Sequence, residues 1–206
     1  MNPELKLLGI SQKTYDFVKS CENSLGNIYE GIEANEAYTQ ARVLKAFQDN
    51  CIALRHFAPT SGYGYDDIGR EALGAVFACA LEAEDALVRP QISSGTQAIF
   101  TALSGLLEPG DVMLSLTGKP YDTLEKAIGI SGDEYCSLKR MGVIYRQVDL
   151  TADGYIDIDA AKAAITGSEK VIYFQRSRGY SWRNALTPEE MAPVFDMAKK
   201  LAPNAF

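Results

Sequence analysis

From Ala86 onward the chain alternates short apolar runs with longer runs at helical spacing, and this alternation constrains its fold more than any other feature. Strands are predicted near 86–90, 112–116, 143–149 and 170–174, and helices near 95–107, 121–130, 158–165 and 188–201. Local signals sharpen the helix starts. Ile156-Asp157-Ile158-Asp159 leads into a capped helix, and Thr187-Pro188-Glu189-Glu190 supplies a cap, a proline at the first helical position and early acid. Four successive strand–helix units predict an α/β domain with a mostly parallel sheet and helical crossovers. Right-handed crossovers then bring the loops after the strands to one edge of the sheet, where open α/β sheets bind ligands.

The first 58 residues stand outside that pattern and read as an N-terminal helical arm, with the main domain over 59–206. Leu8, Ile10, Tyr15, Val18 and Cys21 mark a rough helical stripe that Leu25, Ile28 and Ile32 continue, and Ala41 to Phe47 is a good helix-forming run. The arm gives way to Pro59-Thr60-Ser61-Gly62-Tyr63-Gly64-Tyr65-Asp66-Asp67, a tight turn bearing two tyrosines. Asp66 or Asp67 caps a helix predicted from Ile68 to about Leu81. Arg70, one turn into that helix, either pairs with Asp67 or Glu71 or meets an anion beside the loop.

Charge and composition narrow the function. A net charge of −7 and a pI near 4.8 argue against a general nucleic-acid binder. Neither a basic amphipathic segment nor an apolar stretch of spanning length points to a membrane. The N-terminus lacks the basic-then-apolar pattern of a signal peptide. Cys21, Cys51, Cys79 and Cys136 are scattered, so each reads as a small buried hydrophobe in a reduced, cytoplasmic setting. One histidine, His56, leaves no zinc constellation and carries no expected catalytic role.

Three loops carry candidate chemistry. Ser93-Ser94-Gly95-Thr96 opens the helix at 95–107, aims free backbone N–H groups outward and suits a phosphate or another anion. Ordinary capping by Ser94 is the competing reading. Thr117-Gly118-Lys119-Pro120-Tyr121-Asp122-Thr123 follows the second strand with an aromatic, polar cluster. Gln175-Arg176-Ser177-Arg178-Gly179-Tyr180-Ser181-Trp182-Arg183 follows the fourth, where guanidinium groups suit a carboxylate held by a bidentate fork.

Taken together, these loops resemble one family. Ser61 to Asp67 with Gly69-Arg70, Ala86 to Gln91 with Ser94-Gly95-Thr96, Thr117 to Leu124, and Gln175 to Tyr180 are similar to the methionine gamma-lyase-related proteins, also called aluminium resistance proteins. That resemblance implies a fold-type I pyridoxal-phosphate (PLP) enzyme with an aspartate aminotransferase-like large domain, acting as a carbon–sulfur lyase on a sulfur amino acid. It implies that Ser94, Gly95 and Thr96 cradle the cofactor phosphate and that Tyr121 stacks on the pyridine ring. It places Tyr63, Tyr65 and Arg70 near the phosphate of a neighbouring subunit in a homodimer or homotetramer, and Arg176 or Arg178 on the substrate side. Gln97 stands where the family pattern leads one to expect histidine.

The resemblance also implies groups that these residues do not supply. The lysine that carries the cofactor, the aspartate that pairs with the ring nitrogen and the small C-terminal domain have no counterpart here. None of Lys119, Lys139 and Lys170 has a matching context. The expectation is therefore an N-terminal, incomplete part of such an enzyme, inactive alone and marginally stable because its sheet edge is uncovered. The alternative is a non-catalytic α/β binding or assembly protein that keeps a phosphate loop. A dinucleotide or P-loop domain is disfavoured, since neither glycine pattern occurs.

Overall fold

A computed structural model describes residues 3–65, 67–132 and 134–206. It divides into two compact units, up to Pro90 and from Gln91 onward. The first unit is helical: α1 (Pro3–Leu7), α2 (Gln12–Ser24), α3 (Gly26–Asp49), a 3₁₀ turn (Leu54–Phe57) and α4 (Ile68–Leu81). Asp67 caps α4 by accepting from the Arg70 amide at 3.2 Å, while Asp66 lies outside the described residues. Glu82 ends α4 in the left-handed conformation.

Two glycines hold this unit together at close range. A Cβ on Gly69 would sit 2.3 Å from the His56 carbonyl oxygen, and one on Gly74 would sit 2.7 Å from that of Ala86. Backbone therefore approaches α4 more closely than any side chain permits. His56 is structural, its Nδ1 accepting from the Ala53 amide at 2.9 Å.

The second unit runs α5 (Gly95–Leu106), β1 (Val112–Ser115), α6 (Asp122–Ile128), β2 (Ile144–Gln147), α7 (Ile158–Ala164), β3 (Glu169–Tyr173) and α8 (Pro188–Leu201). The three strands are parallel, as the alternation predicts, and lie in the order β2-β1-β3. Both faces of the central strand are covered. Leu114 packs with Ile165, Leu186, Val194 and Ala198, and Met113 on the opposite face packs with Leu103, Leu124 and Ile128. Thr187 and Glu190 form a reciprocal capping box at α8, with Pro188 at its first position.

The pairing of β1 with β3 contains an irregularity. Val112 faces Glu169, but Met113 faces Val171, so Lys170 is an extra residue. The Lys170 carbonyl instead accepts from the Phe206 amide at 3.0 Å, and the Phe206 carbonyl accepts from the Ile172 amide at 2.9 Å.

Glu169 anchors the sheet. Its buried carboxylate pairs with Arg146 and accepts from the amides of Thr166 and Gly167 and the Thr166 hydroxyl. Burial pushes its pKa up, but the hydrogen bonds from Thr166, its own backbone and Gly167 outweigh that and hold it below the usual carboxylate value.

Two expectations are corrected. The segment 86–90 is not a strand, because among the described residues it has no strand to pair with, and a lone extended segment cannot build a ladder. The four cysteines are all free and exposed, since Cys21 and Cys79 sit on open helix surface and Cys51 and Cys136 in turns. No described helix is long and apolar enough to cross a membrane.

Candidate functional site

The carboxyl ends of the three strands open into a cleft of about 980 Å³, walled by the loops 117–122, 149–154 and 175–183. Its floor is set by hydrogen bonds that continue the sheet. The Ser115 hydroxyl donates to the Gly118 carbonyl at 2.7 Å, and the Gly118 amide donates to Val148 at 2.9 Å. Gly118 makes this turn at φ +74°, a conformation that disfavours a side chain. Lys119 points away to Glu125, 2.9 Å from its carboxylate, which makes it a loop charge.

Gln175 ties two of the walls together. Its amide donates to the buried Thr117 hydroxyl at 2.7 Å, and its side-chain carbonyl accepts from the Tyr121 amide at 2.8 Å. Tyr121 is partly exposed, and its ring lies against Gly179, where an added Cβ would be 3.4 Å from Cζ.

The sheet also sends a polar relay toward the cleft. The Tyr145 hydroxyl donates to Gln147 at 2.9 Å, and Gln147 donates to Asp149 at 2.6 Å. Burial pushes the Tyr145 phenol up to about 12, so it stays protonated and remains a donor.

The two arginines expected on the substrate side behave differently. Arg178 is exposed and lines the cleft beside Tyr180 and Trp182. Arg176 donates through Nε to the Leu186 carbonyl at 2.9 Å, and its own carbonyl accepts from the Leu186 amide at 3.0 Å, which fastens the base of the loop. Arg183, grouped by its sequence with the arginines suited to a carboxylate, instead binds three carbonyls: Asn184 at 2.8 Å, Ser177 at 2.8 Å and Gln175 at 3.3 Å. Burial pulls its guanidinium below the ordinary arginine value. No local pattern marks such a residue, because its acceptors are fixed only when the loop closes.

The start of α5 lies beside this region. Ser94 caps the helix, accepting from the Gln97 amide at 3.1 Å. Gln97 reaches back to accept from the Ser93 amide at 2.9 Å and its hydroxyl at 2.8 Å, a bracing role for the residue standing in the place of histidine. Gly95 faces open space, for an added Cβ would meet nothing within 4 Å. The Thr96 hydroxyl lies 2.8 Å from that of Thr123, which joins the α5 N-terminus to the first turn of α6 just past Tyr121. The structure thus brings Ser94, Gly95, Thr96 and Tyr121 into one neighbourhood.

Tyr63, Tyr65 and Arg70 belong to the first unit. Both tyrosine rings stand in solvent, 84% and 82% exposed. The Arg70 guanidinium is 3.8 Å from the Asp67 carboxylate, whereas Glu71 faces Arg89 at 3.6 Å.

Comparison with known proteins fixes the relationship. Residues 14–206 match the family model for methionine gamma-lyase. The chain belongs to that family. The uncharacterized protein YnbB of Bacillus subtilis (strain 168) is 45% identical over 184 residues, covering 89% of this chain and 44% of YnbB. A Clostridium novyi NT carbon–sulfur lyase involved in aluminum resistance is 37% identical, with a TM-score of 0.89 over 98% of this chain and 48% of that one. A Listeria innocua protein, named as a candidate cystathionine beta-lyase involved in aluminum resistance, is 42% identical, with a TM-score of 0.88 over 93% of this chain and 47% of that one. The chain therefore spans about half the length of these relatives, and over that half its α/β fold is that of the two solved structures.

Proposed function

We propose that residues 1–206 supply the phosphate-binding and ring-flanking part of a PLP-dependent carbon–sulfur lyase for sulfur amino acids such as methionine or cystathionine. The observation that carries this reading is the Thr96–Thr123 contact, which sets a helix N-terminus with an open glycine beside Tyr121 at the strand ends. The residues present fit the cofactor. At α5 the Gly95 and Thr96 amides have no acceptor among the described residues, Ser94 holds the helix start in place, and the space over Gly95 admits close approach of a phosphate. Tyr121 supplies an aromatic face next to that phosphate site, and Arg178 supplies a cation at the cleft wall for a substrate carboxylate.

PLP, when bound, supplies the electron sink that carbon–sulfur elimination requires. The residues of this chain bind, orient and screen; by themselves they do not break the bond. Tyr63, Tyr65 and Arg70 extend the reading, as contributors to a neighbouring subunit's phosphate site in a homo-oligomer. The free thiols at all four cysteines suit the reducing cytoplasm.

The test is Gly95→Ala. The added methyl meets no protein atom within 4 Å and the backbone there is not left-handed, so the fold tolerates it. It intrudes only on a bound anion. PLP titration followed by Trp182 fluorescence should show affinity falling about tenfold in the variant with an unchanged melting curve. Equal PLP binding by variant and wild type, or thiol release from methionine by this chain alone, overturns the proposal.

A further inference from the structure

We infer that Gln175 is a positioning residue: it fixes the site-facing tyrosine by latching the loop after β1 to the loop after β3. This rests on the reading that Tyr121 flanks the cofactor, and it concerns how the chain holds that ring in place before anything binds.

Three contacts converge on this one residue. The Gln175 amide donates to Thr117, its side-chain oxygen accepts from the Tyr121 amide, and its side-chain nitrogen donates to the Ser177 carbonyl at 3.2 Å. A glutamine is suited to the task because its side chain accepts and donates at once. The acceptor end holds the residue immediately before α6, and the donor end holds the loop that carries Gly179. Gly179, at φ +60°, then presents bare backbone to the Tyr121 side chain, which an added Cβ would meet at 3.4 Å from Cζ and 3.7 Å from the hydroxyl oxygen. Arg183 closes the assembly from beneath, clamping the carbonyls of Gln175 and Ser177. The ring is thus located by main-chain hydrogen bonds at both walls and not only by packing, so its position is set independently of any ligand.

The latch makes a prediction that a merely structural glutamine does not. In Gln175→Met the size is kept but both polar ends are lost, whereas Gln175→Glu keeps the acceptor for Tyr121 and loses only the donor to Ser177. Residue-resolved amide hydrogen exchange on the 206-residue chain without cofactor should show the Tyr121 amide exchanging about tenfold faster in Gln175→Met. The β1 amides of Met113 and Leu114 should stay as protected as in wild type. Gln175→Glu should restore Tyr121 protection. Unchanged Tyr121 exchange in the Met variant overturns the inference, as does a folded Glu variant that leaves Tyr121 as labile as Met does. Should Gln175→Met melt the sheet, the Glu variant alone decides: wild-type protection at Tyr121 supports the latch, and a folded Glu variant whose Tyr121 amide exchanges about tenfold faster than wild type overturns it. Because no PLP is present, failure of the latch and failure of cofactor binding are read separately: the first in exchange, the second in the titration of Gly95→Ala.

Discussion

The two units achieve order by opposite means. From Gln91 onward, side chains from both faces of β1 interlock with α5, α6, α7 and α8 in two apolar clusters. Up to Pro90, few apolar side chains are buried, and Phe17, Ile28, Ile32, Tyr38 and Leu44 all stand exposed on α2 and α3. Contact there is made through glycine, where α4 lets neighbouring carbonyls approach within 2.3 and 2.7 Å of a missing Cβ. The lesson is that an amphipathic stripe specifies a helix without specifying burial. The second unit is sensitive to lost volume, the first to added volume.

That contrast can be broken by mutation. Leu114→Ala, which empties a site 1% exposed, should destabilise the sheet by about 3 kcal/mol, whereas Ile32→Ala, at 57% exposed, should shift stability by less than about 0.5 kcal/mol. Urea denaturation followed by circular dichroism compares the two, and equal effects would erase the distinction. Next in size is Gly69→Ala. Its methyl must displace the His56 carbonyl, at a cost of about 2 kcal/mol that should appear as faster amide exchange in α4 and leave β1 protected.

Smaller, and dependent on pH, is the effect of Glu169→Gln. The carboxyl of Glu169 titrates lower in the folded chain than its ordinary 4.5, so its ionised form stabilises the fold above that value and the contribution drains as pH falls through the folded value. At neutral pH the variant should lose about 1–2 kcal/mol, because Arg146 keeps a cation without its anion. Below the folded value, the two proteins should converge. Acid titration of the melting temperature checks both points, and parallel curves at all pH values would show that the carboxylate does not govern acid stability.

Much of this was legible because helix ends are local. The expected spans Ile68–Leu81 and 188–201 coincide with α4 and α8, for Asp67 and the Thr187–Glu190 box act within one turn of the residues they cap. Ser94 likewise proved to be an N-cap, and the cap occupies the Gln97 amide while leaving those of Gly95 and Thr96, so capping does not compete with an anion for the same donors. What escaped was non-local. The segment 86–90 has strand-like composition, but a strand is a relation between two segments, and composition describes one. Cysteine exposure escaped for the same reason, since burial is decided by what packs across from a residue. The role of Gln175 depends on loops up to 58 residues apart in the chain being folded together, and that of Arg183 on the closure of its own loop.

The extra residue at the foot of β3 has a wider consequence. A regular ladder from Val112 and Glu169 would bring Lys170 opposite Met113 and aim an ammonium group into hydrocarbon. By stepping one position ahead, the backbone changes phase. The anchor carboxylate below and the valine above both reach the interior, and everything downstream, including the glutamine that grips the next loop, inherits the corrected parity.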